Sequence, residues 1–148
     1  NPGMLTPDRR GYWAAYMTHL AQAMGLGHMV WEVKLKPCSD DDFAKVRFRP
    51  YQHVAVVKLR ESFEDMAPEA QQDTLVHEIL HAKYLGLDQA VENVMSVTPP
   101  GVPKDVWRTT HERLEAAILA AEEYAVSDET KAWCKVLPLP PEVEDGEA

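Results

Sequence analysis

Basic residues are in short supply in this chain of 148 residues: 15 Lys and Arg stand against 24 Asp and Glu, a formal net charge of -9. A nucleic-acid partner calls for a basic stripe, and an anionic membrane surface calls for a polybasic segment. The charge balance offers neither. Cysteine is scarcer still, with Cys38 and Cys134 alone. Two are too few for a disulfide scaffold, so two thiols are expected rather than a bridge. No apolar run approaches the length of a membrane span. No signal peptide is readable at the N-terminus, where Asn1-Pro2-Gly3 looks like a cloning scar ahead of a native Met4. No internal repeat is visible. These absences predict a cytoplasmic protein with no nucleic-acid partner and no membrane partner.

What is present suits one domain. A hydrophobic content of 45% over this length is enough for a core that needs no metal to hold it. A metal, if bound, is then functional rather than a folding staple. Thr6-Pro7 opens a helix predicted over 7–25, with Tyr12, Tyr16, Leu20 and Ala23 at helical spacing and Gly25 or Gly27 at its end. "MVWEVKLK" alternates Trp31, Val33 and Leu35 against Val30, Glu32 and Lys34, as a half-buried strand does. "AKVRFRP" and "HVAVVKL" read as two more strands, with "YQH" (51–53) at a hairpin tip. The stretch after the third strand is read as a loop into a helix over 68–85, which starts at Pro68-Glu69 and stops at Gly86. A short helix is expected over 88–95. Another long helix is expected over 104–126, with Trp107, Leu114, Ile118, Ala121 and Ala125 on one face. The fold class is α+β. The domain is expected over 4–135, followed by a proline-rich acidic tail over 136–148 that is extended or disordered.

The chemistry lies in "DTLVHEILHAKYLG". Residues four apart share a helix face, so His77 and His81 can aim both imidazoles at one ion. Glu78 sits about 100° round the helix. It is poorly placed as a ligand and well placed to reach a water on the ion. Two ligands and a general base are what the H-E-x-x-H pattern encodes. Histidine nitrogen suits zinc, and a catalytic zinc keeps one position open for water. The expected cofactor is one Zn2+, and the expected activity is hydrolysis of a peptide bond by a Glu78-activated, zinc-bound water. The bland alternative is a pair of surface histidines. Chance places this pattern in roughly 0.02 of chains of this composition.

A third ligand is required. One extended motif would have glycine and histidine where Tyr84 and Leu87 stand, which excludes it. A glutamate from the later helix is the other route, and that helix offers Glu112, Glu115, Glu122 and Glu123. Glu115 borders its apolar face, one turn before Ile118 and Leu119, and is the first choice. Glu112 comes next, then Glu122 or His111. A solvated face is the commoner fate of a helix glutamate.

"HEILH" followed by "HERLEAAILAA" resembles the gluzincin class of zinc metallopeptidases. The likeness is to small one-domain minigluzincins and to short H-E-x-x-H proteins of phages and mobile elements, over residues 30 to 126. It implies a zincin-like single domain: an N-terminal helix, a small three-stranded sheet, an active-site helix and a glutamate helix. It implies a peptide or protein substrate, with the edge of the "HVAVVKL" strand as one place for it to pair and an interior strand with no substrate role as the equal alternative. It also implies a donor to the oxyanion. Tyr84, one turn beyond His81, is the candidate, ahead of His111 and Tyr124. Leu119 stands where thermolysin-like members have an aspartate. A metal-binding interaction module with weak or no catalysis is the alternative expectation.

Overall fold

The computed structural model describes residues 7–35, 44–49 and 54–142. Helix α1 spans Pro7–Ala23. Its buried residues are Trp13, Tyr16, Met17, Leu20 and Ala21, the i, i+3, i+4, i+7 stripe of a helix lying on a core. Trp13 and Met17 escaped the sequence reading, and Ala23 is exposed. Gly25 ends the helix at φ 81°, with Leu26 N–H donating to Ala21 O and Gly25 N–H to Gln22 O. That is the left-handed cap which glycine favours.

Three strands follow: β1 (Val30–Leu35), β2 (Ala44–Arg49) and β3 (Val54–Leu59). Their order in the sheet is β1-β3-β2. Strand β3 runs parallel to β1, with Trp31 opposite Ala55 and Val33 opposite Val57. It runs antiparallel to β2, with Arg49 opposite Val54. The expected hairpin tip at 51–53 lies outside the described residues. Strand β3 is central and both its edges are paired, so the expected docking of substrate to its edge is corrected. Its apolar run fits an interior strand, since Ala55, Val56, Val57 and Leu59 are all buried. Trp31 and Val33 point to the core and Glu32 and Lys34 do not, as the alternation predicted.

A 3-10 helix, Glu61–Asp65, occupies part of the expected loop. Its Phe63 is buried and meets Trp13 edge-on at 4.8 Å. Arg9 clamps it from α1 through a two-pronged bond to Glu64 at 2.9 and 2.7 Å.

Helix α2, Pro68–Met95, is one uninterrupted helix, where two were expected with a break at Gly86. A mid-helix glycine costs only about 1 kcal/mol, and here the helix continues as one arm of a hairpin. Trp107 Nε1 donates to Met95 O at 2.8 Å at the hairpin's far end. The other arm, α3, spans Lys104–Cys134, longer than the expected 104–126. Its buried residues are Val126 and Thr130, not Leu114, Ala121 or Ala125. Helix α1 packs on β1 and α2 on β2. The core joins Trp13, Met17 and Leu20 to Val57, Leu59, Leu75, Val76, Ile79, Leu80 and Val126. The outer half of the hairpin extends past this core.

Candidate metal centre

Helix α2 starts at Pro68, preceded by Ala67 in an extended conformation, with Glu69 in the first turn. Leu75, Val76, Ile79 and Leu80 are at most 1% exposed. They fix the rotation of the helix, so His77 and His81 stay half-buried on the side towards α3. The two Nε2 atoms lie 2.9 Å apart, and the rings meet at 72° with centroids 4.5 Å apart. Two nitrogens on a tetrahedral ion at about 2.05 Å would be about 3.3 Å apart, so the pair needs little movement to share one. Burial, and then the neighbouring His77, lower the pKa of His81, against the opposing pull of Glu123 and Asp88. A neutral imidazole is the form that donates an electron pair to a metal.

The same stretch of the hairpin gathers carboxylates. Glu122 has its pKa pushed up to about 7, chiefly by burial and then by the neighbouring Asp88 carboxyl. Asp88 Oδ1, Glu122 Oε1 and Glu129 Oε2 are inaccessible and lack a hydrogen-bond partner, although Glu129 Oε2 lies 3.6 Å from the Lys83 ammonium. Unsatisfied buried carboxylate oxygens are costly, and for Asp88 and Glu122 a cation is one remedy. The two imidazoles suit a borderline metal such as zinc, but no carboxylate oxygen among the described residues lies within 4.8 Å of both of them, so a third ligand would have to swing in. Glu78 is half-buried on the flank next to His77.

Glu115 goes elsewhere. It lies 3.2 Å from His111, whose other contact is Glu92 at 2.8 Å. Glu92 lies eleven residues beyond His81 on a continuous helix, about 16 Å along its axis. The structure thus brings His77 and His81 together but sets Glu115 in another group. Glu92, His111 and Glu115 each offer a ligand atom within 4.8 Å of the others, the one such trio among the described residues. Glu112 is exposed. Tyr84 donates its hydroxyl to Glu129 at 3.0 Å and packs against the core. Tyr124 is 76% exposed.

Asp88 and Glu129 were absent from the sequence reading, and Glu122 ranked low in it. The signal that finds Glu122 and Glu129 is an eleven-residue repeat. Positions 111, 115, 118, 122, 126, 129 and 133 step by four, three and four, about 3.67 residues on average. The stripe centred on Leu114 and Ala121 lies about 100° round the helix from Glu115 and Glu122.

No protein-family model, curated protein or solved structure matches the chain.

Proposed function

We propose that the chain is a zinc-dependent peptidase with a zincin-like arrangement of helices. His77 and His81 are two ligands, Glu122 is the third and Glu78 is the general base. One observation carries the reading: two imidazole nitrogens converge to 2.9 Å on a helix anchored in the core. Glu122, whose Oε1 lacks a hydrogen-bond partner, would swing in to complete the set, since no carboxylate oxygen among the described residues stands within 4.8 Å of both nitrogens. Glu122 is preferred to Glu115 because it neighbours Asp88, whose charge is felt by His81, whereas Glu115 is engaged with His111. Bound zinc supplies a Lewis acid for the substrate carbonyl and makes water acidic near neutral pH. Glu78 takes a proton from the attacking water and returns it to the departing amine. Burial keeps His81 in its neutral, ligating form.

A second reading, a metal-binding interaction module without turnover, is favoured by the bond from Tyr84 to Glu129, which occupies the expected oxyanion donor. Metal analysis and a peptide-library digest of four proteins separate the readings. Wild type and Glu78→Gln should hold one zinc per chain, while His77→Ala and Glu122→Ala should lose it. Glu78→Gln should cut turnover at least about 100-fold. Zinc retained by a wild type that cuts nothing would favour the module. A wild type that binds no zinc would end both readings.

A further inference from the structure

Past His81, the hairpin of α2 and α3 encloses a groove of about 460 Å3. Leu85, Val91, Ile118 and Leu119 form its apolar lining. Leu119 is 60% exposed although it faces this groove, so an apolar surface is left open to water at a cost. Asp88, Glu92 and Glu115 also line the groove, and no lysine or arginine does. Glu92 and Glu115 share the single imidazole of His111, so even a cationic His111 leaves the group negative. The chain as a whole carries -9, which steers cationic partners towards it.

We infer that this groove docks a polypeptide segment that carries an aliphatic or aromatic side chain next to lysine or arginine. The apolar side chain fills the trough, and the cation lies among the carboxylates. A second copy of this chain is the wrong occupant, because symmetric pairing would set one acidic rim against another. Seven residues of helix separate His81 from Asp88, about 10 Å, which an extended peptide covers in about three residues. Where the peptidase reading holds, on which this last step alone rests, the groove selects substrate residues about three positions from the bond that is cut.

Fluorescence anisotropy tests this with three labelled ten-residue peptides. One has a central Leu-Lys-Arg, one has glutamate in place of both basic residues, and one has serine in place of leucine. The protein is full-length zinc-treated Glu78→Gln, which should not cut the probe, run in parallel with His77→Ala. The Leu-Lys-Arg peptide should bind at least ten-fold more tightly than either control, and more weakly as salt rises. Leu119→Ser and the double change Glu92→Gln, Glu115→Gln should each weaken it about ten-fold, with helical circular dichroism unchanged. Binding that persists in His77→Ala would uphold the groove even if the metal reading fails. Equal affinity for the three peptides would overturn it. So would peptide binding indifferent to these substitutions, or zinc binding at Glu92, His111 and Glu115 with no peptide binding.

Discussion

Glu122 is a carboxyl that costs the fold stability as pH rises. Burial and the Asp88 carboxyl raise its pKa from 4.5 to about 7. An acid whose folded pKa is raised contributes stability that is complete below its unfolded pKa and is lost as pH rises through the folded value. In chelator-treated protein, Glu122→Gln should therefore match wild type near pH 4.5 and melt higher than wild type at pH 8. Zinc should reverse the order. A ligand at 100 times its Kd stabilises by about 2.7 kcal/mol, and the glutamine variant should lose most of that gain. His81 acts in the opposite sense. Its pKa is lowered from 6.5, so its contribution is present above pH 6.5 and fades on acidification. Calorimetry at both pH values, with and without zinc, checks these signs. A variant that follows wild type in all four conditions would remove Glu122 from the site. The meeting of His77 and His81 was legible because their geometry is local, one turn of one helix. The placement of Glu122 near Asp88 was not, because it depends on which α3 residues face α2, and that is set by a helix pairing about 40 residues apart in sequence.

At the scale of elements, composition told strand from helix well and ends and neighbours poorly. "HVAVVKL" is a strand, as its β-branched run implies. The same run, apolar on both faces, suits the interior strand that it forms, one of the two places that the sequence left open for it. Gly86 was read as a stop, yet α2 passes through it because the partner helix α3 lies alongside. Glycine in α1 leaves a simpler margin. Gly11 is exposed within α1, and a Cβ added there meets nothing within 4 Å. Gly11→Ala should stabilise the protein by about 0.5–1 kcal/mol, by restricting the unfolded chain and improving helix propensity. The melting temperature should rise by about 2 °C or more, with zinc content unchanged. A fall would mean that β1 and α1 leave less room than the static backbone shows.

The whole molecule closes on a segment that the sequence suggested was loose. Leu137 to Glu142 lies against α1 and the first turns of α2. Gln72, only 2% exposed, donates its amide to Leu137 O at 3.0 Å and to Pro138 O at 2.8 Å. Tyr16 donates to Pro138 O at 2.8 Å, and Tyr12 to Pro141 O. Proline carbonyls suit this use, because an extended proline-rich backbone leaves them free of internal bonds. Burial pushes the Tyr16 phenol up to about 12, so it remains a donor across the physiological range. Truncation after Val136 would remove all of these acceptors. Water can replace the exposed one at Tyr12, while the buried amide of Gln72 is harder to satisfy. At about 1 kcal/mol for each bond lost, the truncated protein should be less stable by about 2–3 kcal/mol, with a melting temperature lower by about 5–10 °C. Gln72 lies five residues before His77 on the same rigid helix, so zinc stoichiometry should survive the truncation while stability falls. A truncated protein that melts with wild type would return 136–148 to the role of a solubilising acidic tail. If it instead turned over peptide faster at equal zinc, the segment would be a restraint on the site as well as a brace for the fold.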